Sequence, residues 1–120
     1  MNPVKKVSIM IMHDELCQVF NGLMTALSLL RSGAVVTVFF GSRGVNAVHR
    51  EKVGQLVCLP DQPEELLLML NLEGARLLAC PLNKEVFEFT DRDLVDGVTL
   101  ADPATYYTEV MLAADMNLTF

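Results

Sequence analysis

The sequence predicts an α/β protein: a three-layer, doubly wound, mostly parallel sheet of about five strands with helices on both faces. Short apolar runs alternate with helical patterns along the whole chain, ending in a terminal strand. The runs are nearly continuous in apolar residues, as in strands covered on both sides. Hydrophobic residues make up 52% of the 120, rich for so short a chain; strands covered on both faces account for this, and an apolar oligomer interface is the alternative source. The length corresponds to a single domain over 1–120, and no linker, internal repeat or low-complexity segment divides it.

The first strand is Val7-Ser8-Ile9-Met10-Ile11-Met12, which breaks into the polar cluster His13-Asp14-Glu15. Asp14 is placed to cap a helix over 15–31. In that helix Leu16, Phe20, Leu23, Met24, Leu27 and Leu30 recur at three and four, and Val19, Ala26 and Leu29 widen the stripe. Arg31 suits the last turn, and Gly33 suits the residue after it. Ala34-Val35-Val36-Thr37-Val38-Phe39-Phe40 is the second strand, β-branched and aromatic, completing a right-handed βαβ unit.

The turn Gly41-Ser42-Arg43-Gly44 leads into a helical segment over 45–53. The stretch 54–63 is irregular, and its apolar run Leu56-Val57-Cys58-Leu59-Pro60 is either a loop over the core or part of a subunit contact. Pro63 opens a helix over 64–72 with Glu64 and Glu65 in its first turn. Leu66-Leu67-Leu68-Met69-Leu70 makes this helix apolar almost all round, so it is either deeply buried or an interface.

The third strand, Ala75-Arg76-Leu77-Leu78-Ala79, ends on Cys80. Pro81 comes next, and Asn83 is a good cap for a short helix over 83–89. Thr90 caps a further turn with Asp93 at the capping-box position. Val98-Thr99-Leu100 is a short strand or an extended link. Asp102 and Pro103 start the last helix, whose inner stripe reads Ala104, Tyr107, Val110, Met111 and Ala114. Asn117-Leu118-Thr119-Phe120 is the terminal strand.

A net charge of −6 repels phosphate backbones, so no nucleic-acid partner is expected. No apolar stretch approaches the ~20 residues of a membrane helix. Val7–Met12 is too short for the apolar core of a signal peptide, which places the chain in the cytoplasm. Three cysteines and two histidines match no common zinc spacing and form no CxxC pair, so neither a metal, a cofactor nor a disulfide framework is expected.

Sites in such sheets lie beyond the carboxyl ends of the strands. Connectivity brings the first-helix start, the Gly41–Gly44 turn and Cys80 to that end. Cys80 is the leading candidate. A helix N-terminus beside a thiol favours the thiolate, which suits a nucleophile or sulfur carrier. A small buried residue at a strand end is the structural alternative. Cys17, in the first turn of the first helix, is either a second thiol able to resolve a sulfenic acid or accept a persulfide, or a helix residue packed on the core. Cys58 reads as structural.

His13 is either a base or thiolate partner, or a solvated loop residue. His49 reads as exposed and without a role. Gly41, Arg43 and Gly44 are either a strand-to-helix turn or an anion cradle. The full phosphate-loop pattern is missing there, since neither a third glycine nor a Lys-Ser/Thr pair is present.

Several stretches carry a resemblance: Gly74-Ala75-Arg76-Leu77-Leu78-Ala79-Cys80, Phe89, Asp93-Leu94-Val95-Asp96-Gly97-Val98, Ala104-Thr105-Tyr106-Tyr107 and Ala114-Asp115-Met116-Asn117-Leu118-Thr119-Phe120. With Val38-Phe39-Phe40-Gly41 and Gly44-Val45-Asn46, they make the chain resemble the DsrE/DsrF-like family, closest to its peroxiredoxin-like DsrE branch. The chain departs from that branch at Leu100-Ala101-Asp102-Pro103, where a glycine-rich segment is common, and at Pro81-Leu82-Asn83, where a small polar start is common.

The resemblance implies a homo-oligomer, trimeric or hexameric. It also implies a persulfide on Cys80 passed between sulfur-donor and acceptor proteins, which makes the chain a sulfur carrier or a sulfurtransferase component. The alternative is a non-catalytic binding or assembly subunit of the same fold, with Cys80 structural and the apolar segments around Leu56 and Leu66 at the interface. A small-molecule site at the Gly41–Gly44 turn is a third possibility.

Overall fold

The computed structural model describes residues 4–56, 62–83 and 87–120. Its centre is a five-stranded sheet: β1 (Lys6–Ile11), β2 (Val35–Phe40), β3 (Arg76–Ala79), β4 (Val98–Leu100) and β5 (Met116–Thr119). The spatial order is β4-β3-β2-β1-β5, and every pairing is parallel. Val98-Thr99-Leu100 is thus a strand, hydrogen-bonded beside β3.

From β1 to β4 the chain steps across the sheet in one direction, then returns to lay β5 beside β1. Right-handed crossovers therefore put the first helices on one face and the last on the other. Helix α1 (Leu16–Arg31) lies on the face of Ile11, whose side chain meets Gly22. Between α1 and α3 come the short helix α2 (Arg50–Val53) and then α3 itself (Pro63–Leu72), which packs beside α1. Arg31 bonds Glu73, just past the end of α3, through Nε and a terminal nitrogen at 2.9 and 2.8 Å. Helix α4 (Pro103–Tyr106) covers the opposite face, where Tyr106 stacks on Phe39.

The core is the double-sided filling of this sheet. Ile9, Ile11, Val38 and Phe40 are fully buried, as are Val19, Leu23 and Ala26 of α1. Phe20, Met24 and Leu30 of the expected stripe are packed more shallowly, so the deepest line of α1 is the one drawn through Val19 and Leu23. In α3, Leu66, Leu67 and Leu70 are buried while Leu68 is exposed. The apolar helix is therefore mainly core, with Leu68 and the terminal Leu72 turned outward. The run 57–60, with Cys58, lies outside the described residues.

Elsewhere the local patterns mislead in instructive ways. Glu15 rather than Asp14 caps α1, accepting from the N–H groups of Cys17 and Gln18 at 3.0 and 3.1 Å, because Asp14 is occupied elsewhere. The helix expected over 45–53 is a 3-10 segment, Ser42–Val48, followed by α2. His49 breaks the two: it is extended, bridges to Leu94 and is buried, not exposed. The last helix is α-helical only to Tyr106 and continues as a π turn over Tyr107–Met111. Tyr106, not Tyr107, is the buried tyrosine. The Thr90–Asp93 capping box forms as expected.

Candidate functional site

Cys80 follows β3 directly, at the carboxyl end of an inner strand. Its N–H donates to the Phe40 carbonyl of β2 at 2.9 Å, and on the other side Ala101 N–H reaches the Ala79 carbonyl at 3.0 Å. Neighbouring chain on both flanks leaves Cys80 only 4% exposed. Pro81–Asn83 then form a three-residue 3-10 turn. Proline brings no N–H to that turn. Of the helix expected over 83–89, Asn83 belongs to the 3-10 turn, Phe87 and Glu88 form a turn, and residues 84–86 lie outside the described residues.

The other candidates are spread around the same sheet end. Cys17 is exposed in the first turn of α1, not packed on the core, and its side chain is hydrogen-bonded to Glu15. His13 is exposed in the link between β1 and α1. Cys17 and Cys80 both stand as thiols. Gly41 N–H donates to the Ile11 carbonyl and Gly44 N–H to the Gly41 carbonyl, at 3.1 and 2.8 Å. Those two groups of the expected cradle thus serve the turn itself. The Arg43 guanidinium is held by Asp14, with both of its contacts at 3.2 Å.

Asp14 in turn anchors a polar network that local pattern reading missed. Its Oδ2 also accepts from Asn46 Nδ2 at 2.9 Å. Lys52 Nζ donates to Asn46 Oδ1 at 3.0 Å and to the Phe87 carbonyl at 3.4 Å. The network therefore links the end of β1, the turn after β2, α2 and the segment after Cys80. Asp14, Asn46, Lys52, Gln55 and Leu56 line a cleft of about 330 Å³. Asn46 is legible in sequence only as part of a turn, and nothing in the spacing marks Lys52 or Gln55.

Electrostatics follow from these contacts. Burial pushes the Asp14 carboxyl up, but the bonds from Asn46 and Arg43, with the Arg43 charge, hold it below its ordinary 3.8. Main-chain N–H groups of Cys17 and Gln18 lower Glu15, the Arg31 bond lowers Glu73, and the Thr90 N–H lowers Asp93. A carboxyl lowered by folding stabilises the fold above its unfolded value and loses that contribution as pH falls through the folded value. Stability is thus expected to be full at neutral pH and to decline as pH drops past 4.5 for the glutamates and 3.8 for the aspartates. Urea midpoints measured from pH 7 to pH 3 check this. Asp14→Asn is expected to lower the midpoint at pH 7 and to flatten its fall below pH 5. An Asp14→Asn fall as steep as that of the native chain would contradict the role given to this carboxylate.

An open, all-parallel α/β sheet with a cysteine closing an inner strand defines a small thiol-bearing α/β protein. The match to known sequences narrows that class. Residues 60–119 match the model of the DsrE/DsrF/DrsH-like family, and the chain belongs to that family. No curated protein sequence matches it.

The fold is shared with solved structures of low identity. The ychN protein from E. coli is 23% identical with a TM-score of 0.80, over 98% of this chain and 100% of its own. MTH1491 from Methanobacterium thermoautotrophicum, a protein of unknown function, is 17% identical with a TM-score of 0.77, over 95% and 98%. BT1422 from Bacteroides thetaiotaomicron, a conserved protein of unknown function, is 21% identical with a TM-score of 0.70, over 97% and 95%. Among the described residues, no group of three His, Cys, Asp or Glu side chains is arranged to hold a metal ion. None of the described helices is long and apolar enough to cross a membrane.

Proposed function

We propose that this chain is a cytoplasmic sulfur carrier, or the thiol-bearing component of a sulfurtransferase, with Cys80 as the carrier. The observation that supports this reading is the position of Cys80 at the carboxyl end of inner strand β3, in a family that includes sulfur-relay subunits. The Cys80 thiolate attacks the outer sulfur of a donor persulfide. A bond forms between Sγ and that sulfur, the donor S–S bond breaks, and the donor leaves as a thiolate. The acceptor thiolate then repeats the displacement on the Cys80 persulfide and regenerates the Cys80 thiolate. Neither step changes the net oxidation state, and neither calls for a metal or cofactor.

The low exposure of Cys80 has a consequence for rate. A donor has little direct access to the sulfur, so loading is slower than at an exposed thiol. The exposed Cys17 at the same sheet end serves as a second acceptor thiol in this reading. In this reading His13, exposed in the link between β1 and α1, accepts the proton of an incoming thiol.

The same burial favours a second reading, in which Cys80 is structural and the chain is an assembly subunit. Exposed Val4, Val35 and Met116 offer apolar surface for a homo-oligomer, trimeric or hexameric.

Intact-mass measurement after incubation with a low-molecular-weight persulfide donor separates the two. The carrier reading expects an adduct of about 32 Da, one sulfur atom, in Cys17→Ser, and none in the double variant Cys17→Ser, Cys80→Ser. An adduct that persists in the double variant overturns it. Absence of any adduct, with Cys80 alkylated only after unfolding, overturns the carrier reading and supports a structural Cys80, as the second reading expects.

A further inference from the structure

We propose that the cleft beside Lys52 is a binding site for a small oxyanion. The inference goes beyond the sulfur-relay reading and does not need Cys80 to be reactive. It begins with an electrostatic imbalance. Lys52 is half-buried on α2, and its ammonium is held by two neutral oxygens, Asn46 Oδ1 and the Phe87 carbonyl. Among the described residues, no carboxylate lies within ion-pairing distance of it. Arg31, Arg43 and Arg50, by contrast, each pair with an acid. A partly desolvated cation without a counter-ion is costly, and an anion relieves that cost.

The surroundings suit such a ligand. Among the described residues, Asn46 and Phe87 take two of the three ammonium protons, and the third is available to a guest. Gln55, exposed one turn further along the chain, adds an amide to the wall, and Leu56 closes it with an apolar surface. Asp14 also lines the cleft. Its Oδ1 accepts from Arg43 and its Oδ2 from Arg43 and Asn46, so its charge is already compensated. With Arg43 behind the wall neutralising Asp14, the charge of Lys52 is left uncompensated among the described residues, in a chain whose own net charge is −6. A volume of about 330 Å³ admits an ion of the size of thiosulfate or phosphate with its water. The cleft also lies at the carboxyl end of a parallel sheet, where such folds hold ligands.

The test uses the full chain labelled with ¹⁵N and titrated with sodium thiosulfate or, separately, sodium phosphate, at ionic strength held constant with sodium chloride. The backbone amides of Asn46, Lys52 and Gln55 are expected to shift and to saturate with a dissociation constant on the order of 1 mM. Tighter binding of thiosulfate than phosphate identifies a sulfur oxyanion site, and equal binding a general oxyanion site; both support the proposal. Lys52→Met is expected to bind at least about tenfold more weakly, and Lys52→Arg within about threefold of the native chain. Gln55→Ala, on an exposed side chain, gives a second variant whose affinity is expected to fall severalfold without loss of fold. Shifts that stay linear to about 20 mM with both anions overturn the proposal. Undiminished binding in both Lys52→Met and Gln55→Ala also overturns it.

Discussion

Gly44→Ala is expected to destabilise the protein by at least about 3 kcal/mol, the largest loss from any single-methyl change in the sheet-end turn. A Cβ at position 44 would lie 1.9 Å from the Ile11 carbonyl oxygen and 2.7 Å from its carbon. Those atoms are main chain in a central strand, held by bonds to β2 and β5, and have no rotamer to escape into. The same Ile11 carbonyl must also keep accepting from Gly41 N–H, so moving the turn outward breaks that bond. The control is Gly41→Ala. Its Cβ would meet Met12 Sδ and Phe39 Cε1 at 3.0 Å, both side-chain atoms, one of them on a flexible methionine. A loss of about 1–2 kcal/mol is expected there. Thermal melts resolve the pair, since 3 kcal/mol corresponds to roughly 12 °C in a domain of this size. Equal melting temperatures for the two variants would refute the account of the turn.

The second large effect is expected at Tyr106. Its ring is fully buried and stacked on Phe39 at 4.4 Å between centroids, and its hydroxyl is hydrogen-bonded to Ser8 Oγ. Tyr106→Ala removes the ring from beneath the sheet and is expected to cost about 3–5 kcal/mol. Tyr106→Phe keeps the ring but leaves the buried Ser8 hydroxyl without its partner, at a cost of about 1–3 kcal/mol. Adding Ser8→Ala to Tyr106→Phe removes both polar groups and is expected to recover most of that loss. Tyr107→Ala, on an exposed ring with an edge contact to Tyr106, is expected to cost less than about 1 kcal/mol.

Urea unfolding of this set decides the matter, and additive losses in the double variant would deny the hydrogen bond. Burial raises the Tyr106 hydroxyl above its ordinary 10.0 despite the Ser8 bond. A group raised by folding stabilises fully below its unfolded value, so the Tyr106 contribution is lost as pH climbs past 10.0 toward the folded value.

These positions also show where pattern reading stops. The strands are legible to within about a residue, because alternation and continuous burial are recorded in each run itself. Helix α1 and its Gly33 terminus are legible for the same reason. Tyr106 is not, since a 3.6-residue period through Ala104 and Val110 selects Tyr107. The π turn, seen in the Leu112 N–H bond to the Tyr107 carbonyl at 3.2 Å, widens the pitch and brings Tyr106 onto the buried face. His49 looks like an exposed helix residue beside Arg50. Its extended backbone instead lets it bridge Leu94, while its Nδ1 accepts from the Glu51 N–H at 3.2 Å. Asp14 looks like a helix cap until Arg43 and Asn46 are found around it.

The sequence by itself determined the α/β class, the succession of elements, the family and the arrival of Cys80 at a strand end. Each of these is written in local periodicity, in turn residues or in runs of contiguous residues. Only the tertiary structure decided that Gly44 touches Ile11, that Tyr106 reaches Ser8 across 98 residues and that Lys52 faces Asn46 and Phe87. It also decided how deeply Cys80 lies. Such meetings depend on which strand lies beside which and on the pitch of a single turn. Residue type and spacing along one segment carry no record of either.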